Sequence, residues 1–424
     1  MTPRYRIVSE SPVRIWGLTC AERLRRQLAR RGAREAAADQ PEPSGAESVL
    51  LLDGGHLFDA RVLTALVDAP GVVLLGSGSS ARRAVAAHVA PAVADAALEV
   101  LCGERDPDTV EGVTVTRPET LASAFDARLL RSSSPTVLAV SPENRRALED
   151  RLFGASYKGV TDFVTKFLWP RPARAVTRLC VRLGVSPNMV TAVGLMLVFA
   201  AWFLFARGAL GLGLLAAWAM TFLDTVDGKL ARVTVASSRI GHVLDHGTDI
   251  LHPPFWYLAW GLGLATFEPL TPGLTLHGAI IILFVGYVVG RLVEGSFQVF
   301  LAGSGIFLWR RFDSFFRLVT ARRNPNLCLL TTSLLLGRPE LGLEAITWWT
   351  AVTSLVLLVR LLQAFLERAR AGSKEPLRSW LLDVDIERDD SLAVRWFAPR
   401  QAVPAAEADR AAEVESGSHS KVEG

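Results

Sequence analysis

Phe222-Leu223-Asp224-Thr225-Val226-Asp227-Gly228-Lys229-Leu230-Ala231-Arg232, followed eight residues later by Gly241-His242-Val243-Leu244-Asp245-His246-Gly247-Thr248-Asp249, decides how this chain is read. On a 3.6-residue helix Asp224, Asp227, Gly228 and Ala231 stand at i, i+3, i+4 and i+7, a single face. Asp245 and Asp249 are i and i+4 on the next helix, with Gly241 one turn earlier. The connection is short, so the two helices are expected to be antiparallel neighbours whose four carboxylates converge.

Apolar sequence surrounds these acids, and an Asp at the centre of a spanning helix costs about 2.5–3.5 kcal/mol. Four unpaired acids would cost on the order of 10 kcal/mol, comparable with a whole domain's stability. A cation is therefore expected among them, and hard carboxylate oxygens favour Mg²⁺ or Mn²⁺. Two such ions close together would suit a diphosphate, because metals bridge phosphate oxygens. Gly228, Ala231 and Gly241 keep the same faces small enough for a ligand or a second backbone to approach. Ion pairing of Asp224 or Asp227 with Lys229, Arg232 or Arg239 is the plain alternative, and it sets four acids against three bases. A calcium EF-hand is excluded by the ligand spacing and by the absence of a twelfth-position Glu.

Working outward, six spans are expected at roughly 189–206, 209–233, 239–263, 276–301, 324–338 and 343–367. The fifth is short and begins beside Asn324-Pro325. Phe267–Leu276 and Pro339–Glu344 carry no Lys or Arg, whereas Arg310–Arg323 carries five Arg. By that bias both termini and the acid cluster belong in the cytoplasm, with Arg207 the single charge against the rule. Over 157–183, Arg171, Arg174, Arg178 and Arg182 recur at helical spacing behind Phe163, Phe167, Leu168 and Trp169, as in an amphipathic helix on a membrane surface.

Residues 1–150 read differently. Val49–Leu52, Val72–Leu75 and Val137–Val140 resemble buried strands, while Ala21–Arg31, Ala60–Val67 and Ala81–Val100 read as helices. That alternation predicts a soluble α/β domain with a mostly parallel sheet, and no secretory signal is expected ahead of it. Residues 371–424 are polar and expected to be largely disordered, beyond Pro404 above all, with local contacts from Ser379–Ile386 and Val394–Phe397. The whole is therefore an α-helical membrane protein of six transmembrane helices (186–368) preceded by a soluble α/β domain. This mixture explains a composition of 50% hydrophobic and 21% charged residues in 424, too apolar for a purely soluble chain. Four scattered Cys support neither a disulfide framework nor a zinc site.

The motif resembles the signature of the CDP-alcohol phosphatidyltransferases, Asp-x2-Asp-Gly-x2-Ala-Arg-x8-Gly-x3-Asp-x3-Asp, at all eight specified residues over 26 positions. Ser186-Pro187-Asn188-Met189-Val190-Thr191 also resembles the family's Pro-Asn-x-x-Thr entry to its first helix. The resemblance implies that a CDP-linked alcohol is attacked by a second hydroxyl, giving a phosphodiester and releasing CMP. It implies that Asp224, Asp227 and Asp245 ligate two divalent ions, with Asp249 bridging to metal and acting as base. Asn188, Thr191, Gly228, Ala231, Arg232 and Gly241 would line the CDP moiety. It further implies a homodimer in a lipid bilayer, with no nucleic-acid partner.

Ile250 stands where many members have Lys or Arg, so phosphate contacts made there do not carry over. Asp245-His246-Gly247 is similar to the choline and ethanolamine phosphotransferases, whose acceptor is a diacylglycerol; His246 would share proton transfer or merely bond a neighbouring Asp. Arg239, Arg291, Arg310, Arg311, Arg322 and Arg323 are candidates for an acceptor-phosphate pocket, for inositol phosphate or glycerol phosphate, led by Arg239 and Arg323. Arg291 is also placed to pair with Glu294, and Pro253-Pro254 is expected to kink its helix. The N-terminal domain has a faint likeness to sugar-phosphate nucleotidyltransferases, with Gly17 and Glu22-Arg23-Leu24 at the position of the nucleotide loop. The loop lacks its glycines and Asp53-Gly54-Gly55 reads as a turn, so a degenerate, non-catalytic domain is expected. Two other classes remain: a membrane prenyltransferase using a Mg-bound diphosphate, and a non-catalytic cation-binding transporter or scaffold. The first is separated by the Gly-x2-Ala-Arg framework, the second by the lack of inverted repeats.

Overall fold

A computed structural model describes residues 3–36, 48–236, 239–372, 375–385 and 388–398, with backbone alone over 239–246. The N-terminal part runs β1 (Arg4–Glu10), α1 (Cys20–Ala29), β2 (Arg34–Glu35), β3 (Val49–Gly54), β4 (His56–Phe58), α2 (Ala60–Val67), β5 (Val72–Leu75), β6 (Ala84–Val89) and α3 (Ala94–Cys102). It continues through β7 (Thr114–Thr116), α4 (Pro118–Leu121), β8 (Phe125–Asp126), β9 (Arg131–Ser132), β10 (Val137–Ala139) and α5 (Arg145–Ala155). The main sheet has the order β2-β1-β3-β6-β5-β7. β1 is parallel to β2 and β3, and β5 is parallel to β7, but β6 runs against both β3 and β5.

β6 corrects the expectation of a helix over Ala81–Val100. Ala84–Val89 is buried at every position in the middle of the sheet, so it lacks the alternation that marks a half-exposed strand. Val137–Ala139 is a strand as expected, but it pairs with β4 outside the main sheet. α1 starts at a capping box: Glu22 N–H donates to Thr19 Oγ1 at 3.1 Å, and Thr19 N–H to Glu22 Oε2 at 2.9 Å.

The membrane part follows as α6 (Pro170–Leu183), α7 (Pro187–Ala206), α8 (Leu210–Val233), α9 (Arg239–Leu262), α10 (Leu276–Phe297), α11 (Arg311–Val319), α12 (Arg323–Leu335), α13 (Pro339–Ala371) and α14 (Leu392–Phe397). Among the described residues, four helices are long and apolar enough to cross a membrane: Pro187–Ala206, Leu210–Val233, Leu276–Ala302 and Pro339–Ala371. Six were expected. The third expected span is the 24-residue α9, made polar by its motif half, and the fifth is the 13-residue α12. At 1.5 Å per residue α12 rises about 20 Å, short of the roughly 30 Å of hydrocarbon. Phe199, Leu215, Leu292 and Leu355, each more than 60% exposed, face outward from the four long helices. That arrangement fits lipid and would be costly in water. The chain is a multi-pass membrane protein.

Inside the bundle, Phe205, Leu214, Ala217, Trp256, Trp260, Leu327, Leu330 and Ile346 form one core. Helices meet closely where side chains vanish: a Cβ on Gly213 would lie 2.4 Å from the Phe205 ring. α9 continues through Pro253 and Pro254. A proline at 254 removes the N–H that would bond the carbonyl of Ile250, and Tyr287 OH from α10 supplies that bond at 2.7 Å. A further core joins the α/β part to the bundle: Trp16, Leu57, Leu138 and Phe153 pack with Ala173 and Cys180 of α6 and Val226, Leu230 and Val233 of α8. Leu381, Ala393, Val394 and Phe397 are buried against Phe297, Leu308 and Leu318. Ile386 and the stretch beyond Pro404 lie outside the described residues.

Candidate active site

α7 enters the bundle at Ser186, whose Oγ accepts from Met189 N–H at 3.3 Å, with Pro187 in the first turn. This start puts Thr191 beside α8, where its Oγ1 donates to Asp227 Oδ2 at 2.7 Å. Asp227 is 6% exposed. One helical turn earlier, Asp224 faces Arg323 at the start of α12, and Arg323 Nη2 donates to Asp224 Oδ2. The same guanidinium reaches α9, with Nη1 donating to Asp249 Oδ1 at 2.5 Å. Three helices therefore meet at one cation between two carboxylates, and Asp249 is the more open of the two, at 36% against 19% side-chain exposure.

Asn324 fixes the position of Arg323. Its Nδ2 donates to Asp162 Oδ1 at 3.0 Å and to Thr165 Oγ1 at 3.1 Å, tying α12 to the segment before α6. Gly228 and Ala231 lie on the Asp224–Asp227 face of α8, partly exposed, and Asn188 is exposed in the first turn of α7. Arg232 Nη1 donates to Ser156 O at the end of α5 at 3.2 Å, and its guanidinium lies over Gly228, where a Cβ would stand 3.4 Å from Nη1. The side chains of Arg239, Gly241, Asp245 and His246 lie outside the described residues. Among the described residues no three carboxylate, imidazole or thiol groups are grouped to hold an ion.

A second charged cluster adjoins the first through the neighbouring residue. Arg322 Nη2 bonds Glu294 Oε2, and Arg291 Nη2 bonds Glu294 Oε1 at 2.7 Å. Arg317 and Arg322 lie 5.4 and 5.7 Å from the Phe307 ring centroid. Arg291 Nε, Arg317 Nη1 and Arg322 Nε are buried without a hydrogen-bond partner. Two guanidiniums share the Glu294 carboxylate with Arg317 close by, and the spare donors of the three suit an anion. Arg310 and Arg311 do not belong to this cluster, because they pair with Glu367 and Asp389. Arg317 was missed in the sequence, where a basic residue at a membrane face is the default. His252, one turn beyond Asp249, was also missed; its Nδ1 lies 2.6 Å from Thr248 O, and its Nε2 is buried without a partner.

Spanning helices whose polar faces close on an intramembrane group of acids and arginines define a membrane protein built to hold a charged ligand. Residues 184–308 match the family model of CDP-alcohol phosphatidyltransferase. The phosphatidylinositol phosphate synthase of Mycobacterium marinum (strain ATCC BAA-535 / M) is 29% identical over 107 residues, which are 24% of this chain and 46% of that protein. The chain thus spans about half the length of the curated relative it matches. Solved Mycobacterium tuberculosis phosphatidylinositol phosphate synthase is similar in two forms. The CDP-DAG-bound form is 23% identical with a TM-score of 0.34, covering 46% of this chain and 93% of that one. The apo form is 19% identical with a TM-score of 0.32, covering 46% and 95%.

Proposed function

We propose that this chain transfers a substituted phosphoryl group from a CDP-alcohol to an acceptor hydroxyl, releasing CMP. The observation that carries the reading is the meeting of Asp224, Asp227 and Asp249 within an intact family motif, on helices otherwise made for lipid. Asp224, Asp227, Asp245 and Asp249 would hold two Mg²⁺ or Mn²⁺ ions. The fit rests on the donor set: hard carboxylate oxygens, two of which already accept a cation in Arg323. When bound, the ions would neutralise the diphosphate and stabilise the leaving phosphate.

The chain's own residues do the rest. Asp249 takes the proton of the acceptor hydroxyl, whose oxygen attacks the phosphorus bearing the alcohol. The phosphoanhydride bond to the cytidylyl phosphate breaks, and CMP leaves with the electron pair. Thr191 holds the Asp227 carboxylate in one orientation. Gly228 and Ala231 leave room for the CDP moiety, with Asn188 and Gly241 at its edges.

Arg291, Arg317 and Arg322, with unpartnered N–H groups beside Arg323, favour an acceptor that carries its own phosphate, such as inositol phosphate or glycerol phosphate. A lipid alcohol would leave those donors unused. In this reading α9 and α12 complete a bundle of six, with both termini and the site on the cytoplasmic side, and the protein is a homodimer.

The test is CMP release by the purified full chain with Mg²⁺ or Mn²⁺. CDP-diacylglycerol and small CDP-alcohols are crossed with inositol phosphate, glycerol phosphate and diacylglycerol. Turnover with a phosphorylated acceptor is the expected result; prenyl-diphosphate turnover instead would replace this reading. Asp224→Asn and Asp249→Asn should each abolish CMP release, with Asp249→Asn keeping more of the divalent-ion binding in a titration. Normal turnover in either would refute the assignment.

A further inference from the structure

α8 carries Asp224 and Asp227 and ends at Val233, and α9 with Asp249 starts six residues later at Arg239. The turn between them sets how the two acid-bearing faces meet. The five carbonyls that lead into it, Leu230 to Thr234, are all engaged. Leu230 O, Ala231 O and Arg232 O accept from the N–H groups of Thr234, Ala236 and Val235 at 3.0, 2.9 and 3.4 Å. The last two are taken by side chains from the far end of the chain. Arg23 Nη2 donates to Val233 O at 2.7 Å and to Ile15 O at 3.1 Å. Arg26 Nη1 donates to Thr234 O at 2.8 Å.

Arg23 is 3% exposed, its Nη2 serves both carbonyls, and its Nε is buried without a partner. Val235 has φ +50°, a left-handed conformation that is costly for a β-branched residue and persists only where the surroundings over-determine it. Two further contacts fall on the same half of α8: Arg232 on Ser156 O at 3.2 Å, and Lys229 Nζ 3.8 Å from the Tyr157 ring centroid.

We propose that the N-terminal α/β domain clamps the acid-bearing helix pair, and that Arg23 and Arg26 are positioning residues for the transfer reaction. Their cations cap the negative end of the α8 dipole and hold the exit turn in its strained form. Val233 lies about 9 Å along the axis from Asp227, so rotation of that turn carries α9, and Asp249 with it, relative to Asp224 and Asp227. Displacement of about 1 Å in a reacting constellation lowers rate by up to roughly a hundredfold. The α/β domain thereby serves transfer without having to bind a nucleotide itself.

The inference rests on the transferase reading, and the experiment keeps the two apart. Arg26→Met, whose side chain is exposed, and Arg23→Met are made in the full chain. They are assayed for CMP release with the donor and acceptor that the substrate panel identifies, alongside hydrogen exchange of the amides over 234–240. Arg26→Met should lower kcat about threefold and Arg23→Met about tenfold, with KM for the CDP-alcohol held within about twofold. Exchange over 234–240 should rise in both. Adding Val235→Gly, which adopts the turn without strain, should recover most of the lost kcat in the Arg26→Met background. Unchanged exchange in Arg26→Met overturns the clamp whether or not the wild type releases CMP. So does a loss of kcat that Val235→Gly fails to restore. Absence of CMP release in the wild type counts against the transferase reading alone.

Discussion

Arg323 gives one nitrogen to Asp224 and another to Asp249, so it stands where a divalent ion would draw on the same oxygens. On the proposed reading, cation and cation would compete there. Arg323→Met should therefore lower the concentration of Mn²⁺ that half-saturates CMP release while also lowering the maximal rate, because the guanidinium is lost for phosphate. A metal titration of wild type and variant reads both; a raised half-saturation would show that Arg323 assists ion binding instead. A second residue-scale prediction lies in the α/β domain. His88 is 2% exposed, with Nδ1 2.8 Å from Leu66 O and Nε2 2.7 Å from Ser48 Oγ. Burial penalises its charged form and lowers its pKa below the usual histidine value, against the opposing pull of the Leu66 carbonyl. Because the unfolded chain takes up that proton first, the contribution is full above about pH 6.5 and is lost as pH falls toward the lowered folded value. Thermal unfolding between about pH 7.5 and 5.5 should be flatter in His88→Gln than in the wild type. Asp53 titrates elsewhere: burial alone would raise it, but His56, Ser9 and the Gly55 N–H hold its carboxyl well below the usual range, so its effect falls below about pH 4. With those bonds made inside the chain, the carboxylate is engaged as a turn residue is.

At the scale of elements, the α7–α8 contact depends on a missing side chain. Gly213→Ala would drive a methyl to 2.4 Å from Phe205, an overpacking that typically costs about 1–3 kcal/mol. A lowered unfolding midpoint in detergent is the expected outcome, whereas an unchanged midpoint would mean the helices are free to separate. Elements also differ in how far the sequence disclosed them. α8 was legible because Asp224 and Asp227 interrupt an apolar run at helical spacing. β6 was not, since six buried residues rich in Ala fit helix and strand equally well. α12 was flagged only by its shortness, and its role emerges from the fold, which seats Arg323 between two other helices. Arg23 was quoted in the sequence for a nucleotide loop; its partner there, a backbone carbonyl 210 residues away, has no signature in a string of letters.

The whole molecule joins an α/β layer to a bundle through shared cores rather than through a loose tether. One earlier feature sets the depth at which this joint machine works. α12 and α13 meet at the turn around Gly337, and from there α12 rises only about 20 Å before it ends at Arg323, whereas the 33-residue α13 continues to about 50 Å. If that turn lies at one face of a roughly 30 Å hydrocarbon layer, Arg323 and its acids sit about 10 Å beneath the opposite surface. The site is thus a well sunk into one leaflet. A donor with acyl chains would slide in from the side without leaving the bilayer, a water-soluble acceptor would descend from above, and the two would first come level at the floor.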